Sequence, residues 1–341
     1  MKVSWFHRKP YDFHFSLEKL FKVIRGELEG KVEISEFVSP HHSRGILPRL
    51  KIIRAARKHL GEVNHVLGDI HYLVLGLPAN HTVLTIHDIG FMHHPSRLAR
   101  FFLKWFWLIL PVKRAKIVTV ISEATRQHVL KYVPEAADKI RVIPDFLIGK
   151  IEAHPKRFNQ GEPRILQVGT KFNKNLERVL AALEGISCKL VIIGKLSEQQ
   201  LTLLKKYQLR YENHYRIPEA DLVRQYQMCD LLVFCSTLEG FGLPILEAQS
   251  VGRPVVTSNI SAMPEVAGEG ACLVDPFQVE SIRQGVKKVI SDQSYRDQLV
   301  AAGFRNLERF EVARVAEMYR EVYEEVGGGI TNLKKHIPNK F

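Results

Sequence analysis

Glu239 and Glu247, with seven residues between them, carry the strongest chemical signal in the chain; Gly240, Phe241, Gly242, Leu243 and Pro244 lie between them. The apolar run Leu231, Leu232, Val233, Phe234, Cys235 precedes the stretch and reads as a buried parallel strand. Pro244 to Ala248 reads as the first turn of a helix, where proline's missing N–H costs little. Strand, glycine-rich turn and helix in that order present backbone N–H groups at a helix N-terminus, and these suit a phosphate. Gly240 and Gly242 let a ligand come close to the backbone. The two carboxylates are poor partners for phosphate but good acceptors for sugar hydroxyls on either side of one. A nucleotide-sugar, with ribose, diphosphate and hexose in a row, has that layout.

Three other segments follow apolar strands. Gly169, Thr170, Lys171, Phe172, Asn173, Lys174 and Asn175 come after the first strand of the second half. In an open parallel sheet ligands bind beyond the carboxyl ends of the strands, and a lysine there can neutralise a leaving diphosphate. In the first half His87 and Asp88 end an apolar strand, and imidazole can donate to a sugar hydroxyl or a developing oxyanion. Asp69, His71 and Tyr72 follow another strand and are acceptor-side candidates. No metal and no cofactor are expected: the chain has no Asp-x-Asp, and His87, Asp88, His93 and His94 fit no standard zinc spacing.

The stretch from Glu239 to Glu247 resembles the signature of retaining glycosyltransferases of family 4, which pair two glutamates across a Gly-Phe-Gly. Val251-Gly252-Arg253-Pro254, Pro264-Glu265-Val266 and Gly270 to Pro276 continue the likeness. It covers about residues 64–326 and is strongest from 165 to 276. The resemblance implies a GT-B fold, an α/β architecture of two facing Rossmann-like, doubly wound parallel-sheet domains with an interdomain cleft. It implies that Lys174 contacts the donor diphosphate, with Thr170 and Lys171 near a second phosphate position where many relatives carry arginine. It implies that Glu247 holds the ribose, Glu239 positions the hexose, and the backbone from Gly240 to Pro244 cradles the phosphates and sugar. His87 would touch the hexose from the first domain, with Asp69, His71, Tyr72 and Asp88 on the acceptor side. The implied reaction is metal-independent, retaining transfer of a hexose from a nucleotide-sugar to a glycan or lipid-linked acceptor, by front-face attack. The family's glycine-rich loop after the first strand is missing, since His7 to Phe15 contains no glycine.

These groups need strands to hold them. Strands are expected at Val3–Phe6, 31–38, His65–Leu67, Thr82–Ile86, Ile117–Ile121, Ile140–Ile143, Arg164–Gly169, Lys189–Gly194, Leu231–Phe234 and Pro254–Thr257, with helices between. Helices are expected around Leu17–Ile24 and over 48–60, the latter basic, with Leu50, Ile53, Ala56 and Leu60 on one side. Ser122 is placed to cap a helix. The division expected is 1–150 as an N-terminal domain, 151–163 as linker within a weakly periodic stretch, and 164–307 as the nucleotide-sugar domain. A helix over 308–327 should return to the first domain, and 328–341 should be a tail.

At 341 residues, 45% hydrophobic and 25% charged, the composition is that of a globular protein of two domains. Neither a signal peptide nor a spanning helix is visible, and the four cysteines lack metal or CxxC spacing, so a cytoplasmic protein with reduced core cysteines is expected. The net charge of +13 is uneven: residues 1–150 hold 24 Lys and Arg against 13 Asp and Glu, the remainder 25 against 23. The aromatic stretch Phe101–Pro111, flanked by Arg97, Arg100, Lys113, Arg114 and Lys116, reads either as a core helix or as a peripheral membrane contact through 97–116 on the cytoplasmic face. No nucleic-acid partner is expected. Two other readings stay open: an epimerase or hydrolase of nucleotide-sugars on the same fold, and a non-catalytic basic binding protein with a relic sugar site.

Overall fold

A computed structural model describes residues 1–10, 16–43, 45–93, 95–149 and 151–328. It divides into two compact units, one of Met1–Ile148 with the chain from Val312, the other Gly149–Glu311. The expected tail lies outside the described residues from 329 onward, and so does half of the glycine-free stretch after the first strand.

The first unit is built on six parallel strands: β1 (Lys2–His7), β2 (Glu33–Val38), β3 (Val63–Val66), β4 (Thr82–Ile86), β5 (Ile117–Val120) and β6 (Ile140–Val142). Their order is β2-β1-β3-β4-β5-β6. The second unit repeats the plan with β7 (Arg164–Val168), β8 (Lys189–Ile193), β9 (Arg210–His214), β10 (Leu231–Phe234), β11 (Val255–Ser258) and β12 (Cys272–Val274), ordered β12-β11-β10-β7-β8-β9. Strands buried on both faces read as unbroken apolar runs, and β3, β4, β5, β10 and β11 are buried at every position. The chain first builds outward on one side and then crosses to the other. Each sheet therefore has a switch point, between β1 and β3 in the first unit and between β7 and β10 in the second.

Sequence periodicity misses two strands. Arg210–His214 is a polar, partly exposed edge strand, and Cys272–Val274 has only three residues. The basic helix also departs from expectation. It spans Ile46–Ala56 and buries Ile52 and Ala56, while Leu50 and Leu60 are exposed. Ala56 and Ile53 of the expected stripe do face inward, Ile53 packing closely beneath Gly76. Ser122 caps Glu123–Leu130 as expected, accepting from the Thr125 N–H. All four cysteines are buried and free.

The helix Val312–Gly327 belongs to the first unit. It is held there by a wholly buried polar chain. Trp5 Nε1 donates to Tyr323 Oη (3.0 Å), which meets His65 Nδ1 (2.8 Å); His65 Nε2 meets Thr85 Oγ1 (2.6 Å), and Thr85 meets Thr119 (2.6 Å). Burial holds the His65 imidazole well below its ordinary pKa, so it stays neutral and each ring nitrogen has a defined role. Tyr323→Phe removes the hydroxyl and leaves the indole N–H and one ring nitrogen of His65 unpaired. The expected cost is about 1–3 kcal/mol, read as a lower urea midpoint at unchanged slope; an unchanged midpoint would show that the chain does not anchor the helix.

Candidate donor site at the carboxyl edge of the second sheet

Two loops leave the second sheet at its switch point, one after β7 and one after β10, and side chains tie them together. Asn173 Nδ2 donates to the Leu238 carbonyl (2.9 Å), and the Thr237 N–H donates to the Asn173 carbonyl (2.8 Å). Lys174 Nζ lies 2.6 Å from Glu239 Oε1 and 4.6 Å from the Phe234 ring centroid. Both partners of this ion pair are mostly buried. Asn175, in the left-handed conformation (φ 57°), donates to the carbonyls of Cys235 (2.9 Å) and Pro276 (2.7 Å) and so fixes the end of the loop.

Gly169 makes this arrangement sterically feasible. Its φ is +92°, and a Cβ there would lie 2.7 Å from Lys174 Cγ and 2.9 Å from its Cε. The lysine stem thus runs across the glycine to reach Glu239. Gly242 does the equivalent on the other loop. With φ +120° it begins the helix Leu243–Ser250 and supplies no side chain to occupy the N–H groups at that end. Pro244 sits in the helix's first turn, and Phe241 is buried edge-on against Phe310, with centroids 5.6 Å apart.

Glu247 follows inside the helix and accepts from the Tyr226 hydroxyl. Burial pushes its carboxyl above the ordinary range; the Tyr226 hydrogen bond and the Lys174 charge pull it back, while Glu219 adds to the rise. The Glu239 backbone is clamped by Ser261, whose hydroxyl accepts from the Glu239 N–H (3.2 Å) and donates to its carbonyl (2.9 Å). Thr170 turns its hydroxyl to the Lys195 carbonyl (2.7 Å), and Lys171 is exposed. Lys174, Glu239, the turn Gly240–Pro244 and Glu247 thus share one edge of one sheet. Tyr226 and Ser261 serve this site without having been singled out in sequence. Gly169 and Asn173 lay in the segment picked out there, but without a role of their own.

The candidates of the first unit fall into two groups. His71 is buried, with Nδ1 2.7 Å from the Trp107 carbonyl, and Tyr72 is buried against the Trp107 ring (4.9 Å between centroids). Asp69 and Asp88 are exposed; Asp69 pairs with Arg8 (2.9 Å), and Asp88 accepts from the Gly90 N–H (2.7 Å). His87 sits past β4 with Nδ1 3.9 Å from Asp145 Oδ1, and its Nε2 is buried without a partner among the described residues. Burial lowers the His87 imidazole to about 4, opposed by Asp69 and reinforced by His71 and Arg8, and burial raises the Asp145 carboxyl to about 7. Among the described residues no group of three or more His, Cys, Asp or Glu is arranged to hold a metal ion. His94 and the His93 side chain lie outside what is described.

Residues 150–306 match the model of a protein family, glycosyl transferases group 1. This stretch belongs to that family. The matched stretch holds every residue of the donor site described above except Phe310. The chain is 27% identical over 234 residues to the serotype-specific mannosyltransferase WbdA of Escherichia coli, covering 60% of this chain and 28% of that protein. It is 27% identical over 257 residues to O-antigen chain mannosyltransferase B of Escherichia coli, covering 67% of this chain and 66% of the relative. The chain thus spans under a third of the first relative's length and about two thirds of the second's. Among solved structures, HepE of Anabaena in complex with UDP and glucose aligns over 95% of this chain and 100% of its own, with a TM-score of 0.73 at 15% identity. The chain has the GT-B fold.

The His87–Asp145 pair makes a pH prediction. Between about pH 4 and the ordinary histidine value of 6.5, the folded pair carries its proton on Asp145 and the unfolded chain carries it on His87. The two contributions cancel. Asp145→Asn removes the carboxyl, and the depressed His87 then acts alone: the unfolded chain binds the extra proton, and stability falls as pH drops from 6.5 towards 4. Relative to wild type the loss should reach at most about 3 kcal/mol, read from melts across that window; a variant parallel to wild type would overturn the lowered His87 imidazole or the raised Asp145 carboxyl.

Proposed function

We propose that this chain is a metal-independent, retaining hexosyltransferase of family 4 type, moving a sugar from a nucleotide-sugar to a glycan or lipid-linked acceptor in polysaccharide assembly. The observation that carries the reading is the Lys174–Glu239 ion pair of 2.6 Å at the switch point of the second sheet, beside a helix N-terminus begun by a glycine. A diphosphate would draw the Lys174 charge to itself, and Glu239, released from the lysine, would accept hydroxyl hydrogen bonds from the hexose. Glu247, oriented by Tyr226, would hold the ribose. The backbone from Gly240 to Pro244 would complete the phosphate cradle, with Thr170 and Lys171 as second phosphate contacts. His87, kept neutral by burial, would offer an N–H to the hexose or the leaving oxygen.

The mannosyltransferase names of the relatives support mannose as the hexose and a surface polysaccharide as the product, and the UDP and glucose held by HepE support a nucleotide-sugar as donor. A lipid-linked acceptor accords with peripheral membrane contact through 97–116. Departure and attack on one face of the sugar, with the leaving phosphate taking the acceptor's proton, needs no carboxylate nucleophile.

A thermal-shift screen against GDP-, UDP-, ADP- and TDP-sugars, with and without EDTA, tests the donor, because a ligand that binds the folded state raises the melting temperature by mass action. One donor should stand out, unaffected by EDTA. Lys174→Ala and Glu247→Ala should each lower that shift and cut transfer roughly a hundredfold, the scale of losing a charge-assisted contact. Wild-type transfer in both variants would sink the site.

A further inference from the structure

The aromatic stretch is neither wholly core nor wholly surface. Arg97–Leu103, a π turn over Lys104–Ile109 and Leu110–Arg114 run on as one helix. A π turn holds an extra residue, and the helix here splits into two faces. Trp107, Leu108, Ile109 and Val112 are buried. Leu98 (68% exposed), Phe101 (57%), Phe102 (52%), Trp105 and Phe106 are on the outside. The outer rings pack on each other, Phe102 stacked on Phe106 at 6.3 Å and Phe101 against Trp105 at 6.4 Å.

The helix Ile46–Ala56 leaves Ile46 (74%), Leu47 (72%) and Leu50 exposed as well. Arg49 joins the two segments, its guanidinium 4.5 Å over the Trp107 ring. The sequence from 37 to 61 and that from 89 to 122 contain no Asp or Glu, while Lys51, Arg54 and Arg97 are exposed. Large rings and branched aliphatics lie exposed among cations, with no carboxylate in either segment. No described helix is long and apolar enough to cross a membrane.

We propose that these two segments form one surface that docks the first unit on an anionic bilayer, with the rings at the acyl boundary and the cations among the headgroup phosphates. Charge complementarity decides the occupant. A second copy of this chain would bring the same cations against these, and a nucleic acid would match the cations but leave the rings in water. The inference rests on the peripheral contact through 97–116 proposed above, and extends it to a second segment and to lipids of one charge.

The test uses the full chain without donor, and vesicles of phosphatidylcholine with or without phosphatidylglycerol. Trp105 is exposed while Trp5 and Trp107 are buried, so indole emission reports this face. The protein should sediment with the anionic vesicles, less so as salt rises, with a blue shift that Trp105→Phe abolishes. Phe102→Glu with Phe106→Glu, and separately Leu47→Glu with Leu50→Glu, should each weaken binding roughly tenfold or more at unchanged circular dichroism. Lys51→Glu with Arg54→Glu should weaken it roughly fivefold per charge. No binding, or equal binding to neutral vesicles, would overturn the proposal; loss in the Phe102 and Phe106 variant alone would overturn the two-segment surface. Dimers in sedimentation velocity that the same variants dissolve, without vesicle binding, would make the face a self-contact and overturn it too. A normal donor thermal shift alongside any of these failures would leave the transferase reading standing.

Discussion

Every strand in both sheets is parallel, and that single constraint governs where chemistry can sit. A parallel pair needs a crossover, crossovers are right-handed, and the loops that carry side chains into a ligand's reach therefore gather at one edge. Where the strand order reverses, two neighbouring loops part and leave room between them. In the second unit those loops hold Lys174 and Glu239, two residues 65 positions apart in sequence yet 2.6 Å apart in space. Their closeness depends on β7 and β10 being neighbours, on Asn173 stitching loop to loop, and on a glycine where the lysine stem must pass.

Burial sets the charge state of much of the rest. His65 and His87 are held neutral, the Glu247 carboxyl is raised and then steadied by a phenol and a lysine, and the Asp145 carboxyl is raised to about 7 beside an imidazole. A buried polar group is tolerated when its partners are fixed. The chain from Trp5 to Thr119 meets that condition with donors and acceptors drawn from β1, β3, β4, β5 and the C-terminal helix.

Much of this was legible beforehand, for identifiable reasons. Doubly buried strands announce themselves as apolar runs, so β4, β10 and β11 stood out, and the turn after β10 was readable because glycine, proline and glutamate have narrow structural uses. Edge strands lack that signature, which is why the polar Arg210–His214 and the short Cys272–Val274 escaped notice. Side chains that only orient others, such as Tyr226 and Ser261, leave no local pattern, because their meaning lies in contacts made across the fold. The basic helix Ile46–Ala56 shows the opposite failure: Ile53 and Ala56 of its apolar stripe face the core, but Leu50 and Leu60 face out, because spacing alone does not say how much of a stripe is covered.

The second unit is one unbroken length of chain, while the first is closed by a helix that comes only after it. During synthesis from the N-terminus, the later unit can complete its core before the earlier one has its last piece. Until Tyr323 leaves the ribosome, Trp5 and His65 lack their partner, and the first sheet must wait with a polar seam open along one side. A nascent chain that has emerged only to a point between residues 311 and 327 would pair a finished second unit with an unfinished first.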